Sequence, residues 1–559
     1  MKNDGGVIMV AAAAALIWCP LLLSALTPGW MKTYGFPGYD TATAVTTADD
    51  GGFLVVGYSD AAGSDVAQYS VTKLSPYGVT SWQKFFGGQD QDYASAVCRV
   101  ADGGFLIAGD EGSFDRKTGR NLWVMKLGVA GDLLWERTYG GKDRDEAGDI
   151  QPTADGGSIV VGSTLSFGAG GEDAFVLRLG PTGTVIWQEA YGGPAGDRAR
   201  AVRATGDGGF VVAGTTESAG AGKSDVWVLR LESDGGIRWQ ATYGGPGEEI
   251  ANGVVSAKDG GYIVAGTTES FGDGFRDAWI LRLDAAGSIL WQKAYGGAGM
   301  DSADSVLETS DGSIVVAGQF SSVGTTSADA WIFKLGPTGS TRWQKAYGGN
   351  RRDAAFSLEM IPQGGYVVAG YTSSFGAGGT DALVLRLGAS GEIGAQCGNA
   401  LRATHEKPVV TAAVRGAGVA VGNTTKAKLR SPAFNTLSPN PGASHVCGAL
   451  LPELAGSFGP FDYDPQTGET KVSFTCSNAG TGSAGPFQIS LYFSKTPSLG
   501  SDSVLVGSDP VDGLGLSSTY TMRRQRAQSE YVYAITVVDE GNAVGEFDET
   551  NNVAVALLP

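Results

Sequence analysis

The chain has 559 residues, enough for three or four domains of ordinary size, so a sizeable core can form. Glycine (88 residues) and proline (21) together stay below the roughly 25–30% typical of low-complexity chains, which indicates many turns rather than disorder. The net charge of −18 is spread over a chain that is only 18% charged, and this excludes a basic surface for nucleic acid or an anionic membrane. His405 and His445 are the only histidines, which disfavours chemistry that needs a histidine base.

The first 28 residues contain an apolar stretch from Val7 to Leu26. A stretch of this length and position is typical of a signal peptide or an uncleaved signal anchor. We therefore expect export, with cleavage favoured because folded structure is predicted to begin at Trp30. An uncleaved segment would be the only membrane attachment.

Tryptophans recur along the next part of the chain at intervals of 52 or 53 residues. They are Trp30, Trp82, Trp135, Trp187, Trp239, Trp291 and Trp343, and the next step of 52 falls on Ala395. Each of the seven intervals contains four short runs with alternating apolar and polar residues, separated by glycine-rich turns. We name these predicted strands A, B, C and D.

Four strands per repeat of this length are the signature of a β-propeller. The sequence predicts an all-β protein with a seven-bladed β-propeller over residues 29–395. Tight A–B turns such as Gly156-Gly157 and tight C–D turns such as Gly180–Gly183 should share one face of the disc. The longer B–C and D–A loops should share the other face.

The repeat region begins with a D strand at Trp30 and ends with an A-B-C set before Ala395. We therefore predict that residues 30–35 form the outer strand of the last blade and close the ring. The segment around Ala395, which has lost its tryptophan, is then free to diverge.

The repeated phrases resemble known families. The Gly-Gly turns followed by strand C and a tryptophan are similar to kelch-like, tryptophan-docked propellers. The sequence W-Q-K-x-Y-G-G, as in Trp343–Gly349, resembles a repeat of secreted bacterial and archaeal proteins. The resemblance covers about residues 30–395 and implies a propeller fold, but it implies no particular activity because propellers host many functions.

An acidic residue lies ten positions after every tryptophan. Seven carboxylates around one channel mouth could bind a hard cation such as calcium or a cationic ligand. The alternative, which we favour, is that each acid accepts backbone N–H groups of its own Gly-Gly crossing. The acids are Asp40, Asp92, Asp145, Asp197, Glu249, Asp301 and Asp353.

Three other features recur or depart from the repeat. A cation lies nine residues before each tryptophan position and is expected to find a partner or reach the rim: Lys73, Lys126, Arg178, Arg230, Arg282, Lys334 and Arg386. The tryptophans and the aromatic residues four positions after them are predicted to be core. The B–C loop of the second repeat departs most from the pattern, so Asp115, Arg116, Lys117 and Arg120 are candidate binding residues.

Residues 396–450 lack the repeat and are predicted to be an extended or irregular linker. In an exported chain, Cys397 and Cys447 are expected to form a disulfide that closes this segment. Cys98 and Cys476 lie in strand patterns and are predicted to be buried thiols, because no histidine is there to activate them.

Residues 451–559 show sandwich patterning, with Phe487, Ile489, Leu491 and Phe493 on one side of a strand. The phrases 537–544 and 546–552 resemble the CARDB family, an immunoglobulin-like module related to bacterial cell adhesion. The resemblance implies extracellular interaction or spacing. The acids Asp539, Glu546, Asp548 and Glu549 could hold calcium, but a hydrogen-bonded turn is the favoured interpretation.

Together these features predict an exported, non-enzymatic binding or adhesion protein that presents a propeller loop face to an extracellular protein or glycan. Calcium is the one cofactor considered. The alternatives are a carbohydrate-active or quinoprotein-type propeller enzyme, for which a pair of acids would suffice, and a structural spacer of the cell envelope.

Overall fold

The computed structural model describes residues 29–60, 66–88, 90–112, 119–321 and 327–393, followed by the separate short strands given below. All the regular structure in these residues is β, so the described part of the chain contains no helix that could cross a membrane. The predicted signal segment, residues 1–28, lies outside the described residues.

Seven sheets of four strands fill the described residues between Trp30 and Leu387. The first strand in the chain is β1 (Trp30–Tyr34). Sheet I contains β2 (Asp40–Thr47), β3 (Phe53–Ser59), β4 (Gln68–Leu74) and β5 (Thr80–Phe86). Sheet II contains β6 (Asp92–Arg99), β7 (Phe105–Glu111), β8 (Asn121–Leu127) and β9 (Leu133–Tyr139). Sheet III contains β10 (Asp145–Pro152), β11 (Ser158–Thr164), β12 (Asp173–Leu179) and β13 (Val185–Tyr191).

The remaining sheets repeat this order. Sheet IV contains β14 (Asp197–Ala204), β15 (Phe210–Thr216), β16 (Asp225–Leu231) and β17 (Ile237–Gly244). Sheet V contains β18 (Glu249–Ser256), β19 (Tyr262–Thr268), β20 (Asp277–Leu283) and β21 (Ile289–Tyr295). Sheet VI contains β22 (Ser302–Glu308), β23 (Ile314–Ser321), β24 (Ala328–Leu335) and β25 (Thr341–Tyr347). Sheet VII contains β26 (Asp353–Met360), β27 (Tyr366–Thr372) and β28 (Asp381–Leu387), with β1 as its fourth strand.

The seven sheets form a closed ring. The first strand of each sheet contacts the first strands of both neighbouring sheets, in the cycle β2, β6, β10, β14, β18, β22, β26 and back to β2. A buried apolar cluster lies between each pair of neighbouring sheets. This is the architecture of a β-propeller, with strand A innermost and strand D at the rim.

The N-terminal strand closes the ring as predicted. Strand β1 pairs antiparallel with β28, with Trp30 opposite Arg386 and Tyr34 opposite Ala382. The first and last strands of the propeller, which are far apart in sequence, therefore share one sheet. Sheet VII has its fourth strand only because residues 30–34 supply it.

The repeated tryptophan and tyrosine of strand D connect each sheet to the next. Tyr139, for example, donates to the carbonyl of Gly183 at 2.6 Å, and Trp135 donates to the carbonyl of Pro181 at 3.2 Å. Gly183 has φ +75, and a Cβ on it would lie 2.8 Å from the Trp135 ring, so only glycine fits this turn. The prediction that all the repeated tryptophans are core is wrong in part. Trp30 is buried, but the others are only partly buried because strand D lies at the rim.

The cations of strand C point to the face that carries the A–B and C–D turns, which we call the turn face. In five sheets each cation pairs with the aspartate of the A–B turn, as Arg178 does with Asp155 at 2.5 Å. The other four pairs are Lys73–Asp50, Lys126–Asp102, Arg230–Asp207 and Arg282–Asp259. Sheet VII has Gln363 at the turn position, and Nη1 of the buried Arg386 has no hydrogen-bond partner among the described residues.

The segment predicted to be a linker contributes three short strands. They are β29 (Leu401–Arg402), β30 (Val414–Gly416) and β31 (Ser444–Cys447), which pair with the outer strands β25, β17 and β1. This part of the chain is therefore not wholly irregular, because the outer edge of a blade offers unpaired backbone groups to an extended segment.

The C-terminal region forms two further four-stranded sheets. One contains β32 (Leu454–Phe458), β33 (Asp462–Asp464), β34 (Glu469–Asn478) and β37 (Thr519–Ala527). The other contains β35 (Phe487–Ser494), β36 (Val504–Val511), β38 (Tyr533–Val538) and β39 (Val553–Leu557). Strands of the two sheets contact each other, and Ile489, Leu491 and Phe493 are buried as predicted. The predicted all-β class, with a propeller followed by an immunoglobulin-like sandwich, is confirmed.

Candidate functional site

The seven predicted acids lie buried at the D–A crossings, on the face that also carries the B–C loops. We call this face the loop face. Each acid accepts a backbone N–H from the crossing four residues before it, at 2.7–3.0 Å. Asp197 accepts from Gly193 at 2.7 Å and from the hydroxyl of Ser218 at 2.7 Å. These bonds are the arrangement expected if the acids hold the crossings in shape.

The acids are not gathered around one point. Among the residues that the structure describes, no group of three or more His, Cys, Asp or Glu side chains is placed to hold a metal ion. Any calcium-binding role for these acids stays a prediction, and so does that of Asp539, Glu546, Asp548 and Glu549, which lie outside the described residues.

Each acid has a partner that the sequence analysis missed, the first residue of the preceding strand C. A Cβ on Gly192 would lie 2.1 Å from Asp173 of sheet III and 2.8 Å from Asp197 of sheet IV, so the two carboxyls flank one glycine. Burial and the charge of Asp197 raise the pKa of Asp173 to about 6. Five sheet junctions carry such an acid pair: Asp173–Asp197, Asp225–Glu249, Asp277–Asp301, Asp329–Asp353 and Asp381–Asp40. At the other two junctions, the residue at the start of strand C is uncharged: Gln68 lies near Asp92, and Asn121 lies near Asp145.

The candidate binding loop of sheet II is only partly described. Asp115, Arg116 and Lys117 lie outside the described residues. Arg120 is described, and its guanidinium lies 4.8 Å from the centre of the Tyr93 ring and 3.1 Å from the carboxylate of Asp110. The base of this loop therefore packs against an aromatic residue on the loop face.

Tyr93 belongs to a pocket on the loop face that the sequence analysis did not identify. The cavity has a volume of about 610 Å³. Five aromatic residues from sheets VII, I and II line it: Tyr39, Tyr58, Tyr93, Phe356 and Tyr371. Tyr58 and Tyr93 pack edge to face with ring centres 4.9 Å apart, and Phe356 and Tyr371 pack at 5.6 Å. We call this cavity the aromatic pocket.

The polar groups of the aromatic pocket lie between these rings. They are Thr41, Asp60, Gln91, Arg352, Ser373 and Thr380. Tyr93 donates to the side-chain oxygen of Gln91 at 2.9 Å, which fixes that ring, while Tyr39 is 63% exposed. Pockets with aromatic walls and a few placed polar groups are typical binding sites.

Among the described sheets, the aromatic lining is particular to this part of the ring because the repeats differ at these positions. An equivalent cavity between sheets IV and V has a volume of about 90 Å³ and is lined by Thr215 and Ile250 where the aromatic pocket has Tyr58 and Tyr93. The position of Tyr58 and Tyr371, directly after the glycine of strand B, holds Asp110, Ser163, Thr215, Thr267 and Gln319 in the other sheets. No blade needs an aromatic residue there for its own fold. Aligning the repeats position by position would have revealed this signal from the sequence.

A second cavity of about 480 Å³ occupies the central channel and is lined by the seven A strands. Every A strand has a β-bulge three residues after its acid, directly after an alanine that all seven repeats share. The bulge residues are Thr43, Ser95, Gly148, Arg200, Asn252, Asp304 and Phe356. A bulge re-aims a side chain, and here all seven residues line the channel, each with a different side chain.

Two of these bulge residues carry charge. Burial raises the pKa of Asp304 to about 6, although the hydroxyl of Ser302 donates to it at 2.6 Å and the amide of Asn252 donates at 3.2 Å. Burial lowers the pKa of Arg200 from its ordinary value. Phe356 lines both the channel and the aromatic pocket, so the two cavities adjoin.

The cysteine predictions have mixed outcomes. Cys98 and Cys476 are buried free thiols, and burial raises the pKa of Cys98 far above its ordinary value. Cys397 and the side chain of Cys447 lie outside the described residues, so the predicted disulfide stays a prediction.

Comparison with known proteins supports the two-part architecture. The CARDB family matches residues 464–556, and a β-propeller domain of unknown function, DUF5122, matches residues 309–332. No curated protein matches the chain.

Solved structures similar to the chain share little sequence with it. Sqt1 from Chaetomium thermophilum is 13% identical, with 61% of this chain and 82% of that chain covered and a TM-score of 0.35. A eukaryotic initiation factor is 9% identical, with coverage of 62% and 90% and a TM-score of 0.28. An endo-1,5-alpha-L-arabinanase from Thermotoga petrophila is 9% identical, with coverage of 63% and 100% and a TM-score of 0.21. The family matches and the sheets of the structure together give a β-propeller region followed by an immunoglobulin-like region that matches the CARDB family.

Proposed function

We propose that this protein is an exported, non-enzymatic binding protein of the adhesion type. In this proposal a seven-bladed, tryptophan-docked propeller presents its loop face to an extracellular protein or glycan, and the CARDB region serves as a spacing or interaction module. The single observation that carries the proposal is the aromatic pocket.

The aromatic pocket supports binding because its rings are not needed by the propeller itself. The position of Tyr58 and Tyr371 holds a small or polar side chain in sheets III to VI, and those sheets form with the same A–B register. Tyrosine combines a large contact area with a hydroxyl and has only two side-chain torsions to order, so it is enriched where proteins bind partners. An exposed ring such as Tyr39 at the rim of a cavity fits this role.

Two features support the proposed export, one in the C-terminal region and one near the N-terminus. CARDB regions are typical of extracellular proteins, and the apolar stretch Val7–Leu26 has the pattern of an export signal. Detection of the protein outside intact cells, by protease accessibility, would support export.

The proposal is tested by screening the purified chain on glycan and extracellular-protein arrays. Tyr58→Ala should weaken any saturable binding by about tenfold or more, since loss of a central aromatic contact commonly costs 2 kcal/mol or more. The matched control is Thr215→Ala, which truncates the same register position in sheet IV and should leave binding unchanged. Equal binding by both variants, or no binding to either array, contradicts the proposal and favours a structural spacer.

An enzyme is the second candidate, and Asp304 is the observation that favours it. A carboxyl in a confined cavity with its pKa raised to about 6 is suited to act as a general acid. A glycosidase needs a second carboxylate. Of the other channel acids, Asp149 is paired with Arg203 at 2.7 Å, and Glu359 accepts from the hydroxyl of Thr47 at 2.8 Å. Release of product from any bound polysaccharide, abolished by Asp304→Asn, would favour the enzyme.

A further inference from the structure

We propose that the aromatic pocket and the adjoining channel mouth form one site for an acidic oligosaccharide, in which Arg200 binds a carboxylate of the ligand. This inference rests on the proposed function and names the ligand class of that site. Four features of the described residues support it.

The first feature is the charge state of the channel. It is lined by three arginines (Arg99, Arg200 and Arg203) and three acids (Asp149, Asp304 and Glu359). Arg203 is paired with Asp149, and Arg99 is paired with Asp49. Arg200 forms no ion pair within 4 Å in the described part of the chain, although its side chain opens into the cavity.

The second feature is that Asp304 does not neutralise Arg200 by contact. The oxygens of Asp304 already accept from Ser302 and from Asn252. Asp304 acts on Arg200 only through its charge. Arg200 is therefore an exposed cation at the channel whose donors remain available. A guanidinium is well suited to hold a carboxylate with two parallel hydrogen bonds.

The third feature is continuity between the two cavities. Phe356 lines both, so the aromatic pocket opens beside the channel. A ligand several units long could therefore rest on the rings of sheets VII, I and II while one end enters the channel.

The fourth feature favours a sugar over a peptide. The bulge in every A strand interrupts the regular backbone pattern at the channel, and this disfavours a peptide that binds by adding a strand. The rings of the aromatic pocket alternate with hydroxyl, amide, carboxylate and guanidinium groups, which suits a ligand with many hydroxyl groups.

The test compares two probes of equal length, a hexamer of galacturonic acid and a neutral glucose hexamer, by calorimetry on the full chain. The acidic hexamer should bind at least tenfold more tightly at low salt, and Arg200→Gln should remove most of that difference while leaving the neutral hexamer unchanged. Arg200→Lys should keep part of it. Arg342→Gln is the control because it removes the same charge from the turn face, where Arg342 is paired with Asp311 and lines neither cavity.

The outcomes separate this inference from the proposed function. Equal weakening by Arg342→Gln and Arg200→Gln would show only a long-range charge effect and would overturn the inference. Loss of binding in Tyr58→Ala without any effect of Arg200→Gln would also overturn it, while the proposed function stands. Binding of an acidic peptide or another protein, with no binding of either hexamer, would likewise overturn the inference and leave the proposed function standing.

Discussion

The turn face and the loop face of the propeller use aspartate in opposite ways. On the turn face, hydrogen bonds from strand C cations hold the pKa of Asp155 and Asp259 below the ordinary value. On the loop face, burial together with a neighbouring acid raises the pKa of Asp277 to about 7 and that of Asp40 to about 6. In sheets III, IV and V, strand C therefore begins at a junction where the pKa of an acid is raised and ends near a turn where the pKa of an aspartate is lowered. The ring depends on two sets of carboxyls with different pH requirements.

The largest expected effect of this difference is a stability maximum at mildly acidic pH. A carboxyl whose folded pKa is raised stabilises the fold below its unfolded pKa of about 4, and that contribution is lost as pH rises through the folded value. The loop-face acids thus lose stabilisation between about pH 4 and pH 8. The turn-face acids have lowered pKa values, so their contribution is present above about pH 4 and is lost as pH falls further.

We therefore expect the melting temperature of the propeller to be highest near pH 5 and to fall by on the order of 5 °C toward pH 8. Thermal unfolding followed by circular dichroism between pH 3 and pH 9 would measure this. A melting temperature that rises steadily from pH 5 to pH 8 would contradict the assignment of raised pKa values to the loop face.

The second prediction concerns the A–B turn position that holds Asp155 in sheet III and Gln363 in sheet VII, and it gives each sheet the residue type of the other. Asp155→Gln should destabilise the propeller by about 1–2 kcal/mol, because it leaves Arg178, whose side chain is 9% exposed, without its carboxylate. Gln363→Asp should stabilise it by up to about 1 kcal/mol, since Arg386 then gains the partner that its equivalents have in five sheets.

Denaturant unfolding at pH 7 measures both changes in free energy. Gln363→Asn is the control, because it changes the same turn without adding charge and should have little effect. If Gln363→Asp destabilises the fold, the two positive-φ glycines that follow, Gly364 and Gly365, hold this turn in a shape that the aspartate cannot use.

Much of the fold could be predicted because the repeat is an internal alignment. The spacing of the tryptophans gave the sheets, and the D strand at Trp30 gave the closing strand, since only one sheet lacked its outer member. The position of the tryptophan rings was misjudged because spacing reports which strand a residue occupies and not how far that strand lies from the centre.

The aromatic pocket was missed for a different reason. Searching for what the repeats share finds structural residues such as the acids at the crossings. Tyr58, Tyr371 and Arg200 are visible only as departures from the shared pattern, and the pocket forms because sheets VII and I are neighbours through ring closure. The candidate loop around Arg120 was found because it was the longest departure, and its base does contact the pocket at Tyr93.

The last prediction, with the smallest expected effect, concerns the loop-face position that holds Asp277 in sheet V and Asn121 in sheet II. Asp277 faces Asp301 of the next sheet and Asp273 of its own loop, and it accepts from the backbone of Gly274 at 3.3 Å. Asp277→Asn keeps an acceptor for that bond but removes the charge, so it should stabilise the propeller by about 1 kcal/mol at pH 8 and have little effect at pH 5.

Sheet II naturally has an uncharged residue, Asn121, at the position that Asp277 occupies in sheet V. The amide of Asn121 donates to Glu111 at 3.3 Å. Asn121→Asp would face Glu111 and Asp145 with a new carboxyl, so it should destabilise the propeller at pH 8 by a similar amount and approach the natural protein at pH 5. Thermal unfolding of both variants at the two pH values measures the effect. Since the two substitutions are reverses of each other at one strand position, changes of the same sign at pH 8 would mean that local packing, rather than the shared charge of the junction, governs the stability of the loop face.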